Sequence, residues 1–572
     1  MTKFLPILDW IKSYDKKDLS GDLSAGLTVG VMLIPQGMAY SMLAGLPPIY
    51  GLYASTIPLI IYAIFGTSRQ LAVGPVAMVA LLISSGVGAL AELGSAEFIS
   101  LAILLAVMVG VIQLIMGVFR LGFLVNFLSH PVIAGFTSAA ALIIGFSQLK
   151  HLLGINIPRG KVHETLINVF NNFGDINMPT LLIGAGSIIV LLVVKKVNKK
   201  IPGPLIAVLL SIAAVYFLGL NEQGVKIVKD VPGGLPALSM PNLDFAAMKT
   251  LLPIALTISF VGFMESIAVA KAIQAKHKNY EVVPNQELIG LGLANIFGSF
   301  FKAFPVTGGF SRTAVNDQAG AKTGLASIIS AVLIIITLLF LTQYFYFLPN
   351  AVLAAIIMVA VFGLIDYKEA IHLWNHDRMD FVVFIVTAIA TLSLGIEEGI
   401  LFGVLLSLGM LIYKVSYPHI AELGRVPGSD EYRNVARFNN LHTNEDMLIV
   451  RFDSQLYFAN STALKDYVSD KIMKKPQIKH VILDCSSISS LDSSAIHMIH
   501  DLVENLHDNG RELYLTSVKG PVRDILSKNN ILNSGNVHHY YLSNRDAVKD
   551  IKYNDGNEFS DYVGQSALIT EK

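Results

Sequence analysis

From position 23 to about 413 the chain is a succession of apolar runs separated by short polar turns, and that pattern leaves few folds open. About 20 mostly apolar residues make a helix long enough to cross a bilayer. Inside a membrane every backbone polar group needs a partner within its own segment, so the runs read as helices. They lie at 23–44, 48–65, 73–90, 98–119, 132–148, 181–194 and 204–220. After a polar loop at 221–247 they resume at 251–272, 288–300, 324–341, 348–365, 381–395 and 399–413, with a broken piece after Gly309. These are about fourteen pieces, dividing into seven and seven. The first is expected to be interrupted at Pro35 and Gln36, and a polar loop at 150–178 separates the fifth from the sixth. Charged residues make up 15% of the chain, against about 25% in soluble domains, and they are concentrated after residue 413.

Two of the runs are broken in a way that carries function. In 304–316, Phe-Pro-Val-Thr-Gly-Gly-Phe-Ser-Arg-Thr-Ala-Val-Asn, Pro305 and the Gly pair rule out a continuous helix, and a fresh one is expected to begin near Phe310. The counterpart in the first half is Leu71-Ala72-Val73-Gly74-Pro75-Val76-Ala77. A helix that starts at mid-membrane presents unpaired N–H groups and the positive end of its dipole, a setting that holds an anion. Matched breaks in two halves of a membrane chain point to a transport site.

The candidate anion-holding groups are therefore the backbone donors near Val76 and Phe310, with Ser311, Arg312 and Gln36 beside them. Arginine within a span is costly and usually functional; the structural alternative is a pairing of Arg312 with a helix-end carbonyl or with Asp317. For Gln36 the alternative is a helix–helix hydrogen bond. Glu265 is a lone carboxylate in the apolar stretch 259–268, placed to carry a proton or help coordinate sodium; otherwise it pairs with Lys302 or Arg312. His130 and Arg69 read as structural.

The remaining numbers exclude whole classes. Net charge is zero, which removes any global electrostatic case for nucleic acid. The single Cys485 rules out an internal disulfide and a cysteine-based metal cluster. Neither a nucleophile–base constellation nor a Gly-rich phosphate loop is present, so an enzyme is not expected. Basic residues such as Lys195, Lys196, Lys271, Lys276 and Lys278 flank spans on one side of the count, which puts both termini in the cytoplasm. Residues 1–22 read as a cytoplasmic N-terminal segment and not as a cleaved signal, 23–418 as the membrane domain and 419–440 as a linker. Strands alternating with helices over 441–554 indicate a small α/β domain, followed by a polar tail at 555–572.

Several stretches carry a resemblance. Pro48-Ile49-Tyr50-Gly51-Leu52-Tyr53-Ala54-Ser55, with Tyr62 and Gly66-Thr67-Ser68-Arg69 after it, resembles the signature of the sulfate permease (SulP) family. The stretches 22–26 and 33–40 resemble that family's first span, and 304–316 its tenth. Leu483-Asp484 and Leu491-Asp492-Ser493-Ser494 resemble the STAS domain (sulfate transporter and anti-sigma-factor antagonist) that follows such transporters. The resemblance implies a polytopic α-helical protein of a seven-plus-seven inverted repeat with core and gate domains. It further implies a homodimer in the cell membrane that moves an anion by an elevator-like motion. Sulfate is the substrate it implies first, with bicarbonate, chloride or a dicarboxylate open, and with proton- or sodium-coupled, exchanging or uncoupled transport all represented. It matches Glu265 to the cation-coupling acidic residue of bicarbonate and dicarboxylate members. It also marks Ser493 as a position phosphorylated in anti-sigma-factor antagonists, set against the plainer reading of Ser493 and Ser494 as helix caps. A cytoplasmic protein partner for the STAS domain fits the resemblance too. The rival of another class is a membrane-anchored regulator whose transport function is vestigial.

Overall fold

The computed structural model describes residues 5–123, 129–157, 162–197, 202–278, 280–529, 531 and 537–554. The predicted polar tail lies outside the described residues. The chain divides into two units, Met1–Ser407 and Leu408–Lys572.

Among the described residues of the first unit, seven helical stretches are long and apolar enough to cross a membrane: Lys16–Ala44, Pro48–Phe65, Ala96–Val118, His130–Leu153, Met178–Val197, Phe245–His277 and Asn350–His376. Shorter apolar helices at Ala77–Ala89, Gly203–Leu218, Leu325–Phe340 and Leu401–Ser416 stand between or after them. Pro284–Ser299, Phe310–Gln318 and Arg378–Ser393 complete the order expected of two sevenfold halves. The halves complete one another. Helix Lys16–Ala44 packs along Leu325–Phe340, Ala96–Val118 along Pro284–Ser299, and His130–Ser147 along Arg378–Ser393. On the outer faces Val111, Ile115 and Val118 stay exposed, as they should where the solvent is lipid.

Buried carboxylates fasten these contacts. Asp22, completely buried, accepts from the backbone N–H of Lys322 (2.6 Å) and Thr323 (3.0 Å) and from the Thr323 hydroxyl (2.6 Å), tying the first helix to the start of Leu325–Phe340. Glu287 is equally buried and accepts from the Tyr62 hydroxyl, the Thr67 N–H and the Thr67 hydroxyl, each at 2.6 Å, and from the Ser68 N–H at 3.1 Å. The turn 66–69 is thus held by a residue about 220 positions away.

Three expectations change. The first span begins at Lys16, capped by Asp15 accepting from the Lys17 N–H, so the end of the segment read as 1–22 belongs to the membrane helix. Pro35 lies inside that helix without ending it; proline removes one N–H, and the remaining bonds of 29 residues carry the helix across. The loop at 150–178 contains helices Leu149–Leu153 and Val162–Asn171.

Two strands of two residues each, β1 (Val73–Gly74) and β2 (Thr307–Gly308), pair antiparallel within the first unit. In the second unit, strands β3 (Ile420–Arg425), β4 (Tyr432–Asn434), β5 (Met447–Phe452), β6 (His480–Asp484), β7 (Glu512–Thr516) and β8 (Val537–Tyr541) form one sheet in the order β4-β3-β5-β6-β7-β8. Strands β5 to β8 run parallel, and β3 is antiparallel to both β4 and β5. The stretch 419–440, expected as a linker, therefore supplies two strands of the domain. Alternate residues face opposite layers: Leu448, Val450 and Leu483 enter one core, Ile449, Ile482 and Tyr514 the other. Helices Ser461–Lys474, Ser493–Asp508, Gly520–Lys528 and Asn544–Asn554 cover the sheet.

Candidate functional site

The pairing of β1 with β2 is what sets the site. Val73 lies opposite Gly308 and Gly74 opposite Thr307, and the Gly309 N–H extends the ladder to the Ala72 carbonyl at 3.1 Å. Gly74 has φ +151°, a conformation that side chains oppose, so the chain can cross here and turn through Pro75 into a helix. Helix Ala77–Gly86 follows one strand of the crossing and helix Phe310–Gln318 the other, and the first residues of both line the same cavity.

Both helix starts are uncapped. The N-cap residues are Val76 and Gly309, and neither offers a side chain to the orphan N–H groups of the first turn. Ser, Thr, Asp or Asn would normally fill that position. Donors left open at two converging helix ends are available to a ligand.

The surroundings pin this geometry with side-chain bonds. The Gly308 N–H donates to the Ser266 hydroxyl (2.8 Å), Ser266 bonds the Thr307 hydroxyl (2.7 Å), and Thr307 donates to the Gly262 carbonyl (2.5 Å). Asn295 accepts from the Val306 N–H (2.8 Å) and donates to the Val306 carbonyl (3.1 Å). On the other strand the Ala72 N–H donates to the Thr313 hydroxyl (3.0 Å), and Asn316 donates to the Gln70 carbonyl (2.9 Å).

A cavity of about 630 Å³ opens at the crossing, and Gln36, Val76, Phe310, Ser311, Arg312 and Glu265 all line it. The residues singled out in the sequence thus come together. Arg312 is 2% exposed; its Nη1 donates to the Pro75 carbonyl at 2.6 Å, while Nε and Nη2 have no hydrogen-bond partner among the described residues. This is the carbonyl pairing of the structural alternative, and it leaves the guanidinium fixed between the two half-helices with donor capacity to spare. Gln36 is buried with its Oε1 unpartnered. Asp317 does not pair with Arg312: it is held by Lys276 and His277. His130 lines the same cavity and sits 3.2 Å from Glu369, and Arg69 lies over the ring of Tyr280.

Sequence reading missed Ser266, Asn295, Thr307 and Thr313, which hold the crossing, and Tyr40 and Lys271, which line the cavity. A signal existed in the polar residues set singly within apolar runs, but nothing local said which backbone group each would meet.

In the second unit Ser493 is exposed and is the first residue of helix Ser493–Asp508. The cap is Asp492, which accepts from the Ala495 N–H (2.8 Å) and also from the Phe458 N–H (2.9 Å).

Two family profiles match this arrangement of a broken-helix membrane unit and an α/β unit: the sulfate permease family over residues 19–387 and the STAS domain over 439–547. The chain belongs to the sulfate permease family. It is 41% identical over 566 residues to sulfate transporter 4.1, chloroplastic, of Arabidopsis thaliana, covering 95% of this chain and 82% of that one. High affinity sulfate transporter 2 of Stylosanthes hamata is 35% identical, covering 95% and 85%. Among solved structures, the murine Solute Carrier 26 family member A9 anion transporter in the inward-facing state superposes with a TM-score of 0.89 at 29% identity, over 96% of this chain and 94% of that one. The fold that carries the half-helix pair is thus shared with that transporter along nearly the whole length of both chains.

Proposed function

We propose that the protein is a secondary active transporter of sulfate that works by elevator-type alternating access in the cell membrane, with both termini cytoplasmic. The observation that carries the reading is the meeting of two uncapped helix N-termini at a cavity lined by a buried arginine. The sulfate transporters among the relatives support sulfate as the anion.

Charge balance suggests how coupling arises. Each helix end contributes about half a positive charge, so at the crossing the pair and Arg312 together offer about +2, while Lys271, exposed where it lines the cavity, is screened by water. That matches a sulfate dianion. An ionised Glu265 beside them removes one of these charges, and a proton or sodium ion on Glu265 restores it. Anion and cation therefore bind best together and move together, and Gln36 and Ser311 supply further polar contacts. On the family resemblance the protein works as a homodimer, with the STAS domain as the part that meets a cytoplasmic protein and Ser493 as its modifiable position.

The test is labelled sulfate uptake into proteoliposomes, with and without inward proton and sodium gradients, for the wild type and Glu265→Gln. Gradient-driven uptake that is lost in the variant is expected. Bicarbonate and fumarate serve as competitors; uptake of one of them with no sulfate flux would change the substrate, and no flux of any anion from folded protein would overturn transport.

A further inference from the structure

The half-helix Phe310–Gln318 is only nine residues long, yet the site depends on where its first turn points. Its start is tied down by the strand crossing. Its other end is tied by Asp317, whose side chain is 4% exposed and which bonds two consecutive residues at the end of helix Phe245–His277: Lys276, at 2.5 Å, and His277. That helix is the one that carries Glu265. Lys276 is 61% exposed and His277 22%, so the clamp reaches the aqueous edge while its carboxylate is enclosed.

We propose that Asp317, Lys276 and His277 form a positioning clamp that fixes the anion-facing half-helix against the Glu265 helix. The inference rests on the sulfate reading above. Asn316 and Thr313 already bind the half-helix to residues 70 and 72; Asp317 adds the tie to the Glu265 helix, and its loss lets the anion-facing turn shift relative to Glu265. Lys276 and His277 are the charged groups bonded to Asp317 among the described residues, and hydrogen bonds to a carboxylate are the strong ones.

The test is sulfate–sulfate exchange in proteoliposomes of the full chain, at one pH equal on both sides so that no gradient contributes. Asp317→Asn should raise KM for sulfate by about tenfold, the effect of one charged hydrogen bond, with the maximal exchange rate little changed and with Asp317→Glu restoring most of the affinity. Lys276→Gln should raise KM in the same direction. Elution profile and melting temperature establish that each variant is folded. An Asp317→Asn variant with unchanged KM, or one that Asp317→Glu does not rescue, overturns the clamp. A wild type that exchanges no sulfate fails the transport reading instead, so the two failures are distinct.

Discussion

Replacing Gly309 by alanine isolates the role of Arg312 without touching its charge. Gly309 has φ −103°, an ordinary value for alanine, so backbone strain contributes nothing. A Cβ there would stand 2.8 Å from Nη2 and 3.0 Å from Cζ of Arg312. A relaxed contact needs about 3.5 Å, so the guanidinium must retreat by about 0.7 Å. It has little room to do so, being fully buried and bound to the Pro75 carbonyl at 2.6 Å. That retreat takes the bond beyond about 3.2 Å and forfeits a charged hydrogen bond, about 1.5–3 kcal/mol. Sulfate affinity should therefore fall by about ten- to a hundredfold. Loss of Gly at an N-cap also lowers stability, by about 1 kcal/mol, which the melting temperature reads separately. The assay is equilibrium binding of labelled sulfate to purified protein. Gly186→Ala is the control: a Cβ there meets nothing within 4 Å, and sulfate affinity should stay the same. Wild-type affinity in folded Gly309→Ala would refute the placement of Arg312 between the half-helices.

Glu287→Gln should destabilise the membrane unit by about 3 kcal/mol, because an amide NH₂ would face donors that the carboxylate now satisfies; a melting temperature equal to the wild type in detergent would contradict it. In the second unit, burial pushes the Glu422 carboxyl up, but its bonds to Lys471 (2.5 Å) and Lys475 (3.0 Å) outweigh this and hold it below its usual 4.5. A depressed carboxyl stabilises the fold above its unfolded value and loses that contribution as pH falls through the folded one. Resistance of the second unit to urea should accordingly fall as pH drops below about 4.5, more steeply than in Glu422→Gln; equal slopes would refute the ion-pair account.

The parts of this architecture that were legible in the sequence are those where one residue type overrides all neighbours. Gly74-Pro75 and Pro305 with Gly308-Gly309 cannot continue a helix in any context, so both half-helices could be placed to within a residue or two. Arg312 and Glu265 stood out because a charge in an apolar run has to be compensated. What stayed hidden depends on distant partners. The anchoring roles of Asp22 and Glu287 could not be read locally because their donors lie about 300 and 220 positions away. The β1–β2 pairing is two residues long on each side, too short for any periodicity to register. Strand β3, Ile-Ala-Glu-Leu-Gly-Arg, mixes charges into its alternation and joins the sheet as a partner of β5, so its neighbourhood read as a linker. Pro35 misled in the opposite sense: a long packed helix absorbs the loss of one hydrogen bond.

The central claim is that the anion is held by the two helix starts at the crossing. Selenate, a sulfate analogue with an anomalous signal, locates it directly in crystals of the full chain. The account predicts one peak within about 3.2 Å of first-turn amides from both Ala77–Gly86 and Phe310–Gln318. A peak bound elsewhere in the cavity, with these amides unoccupied while selenate is still transported, would contradict it.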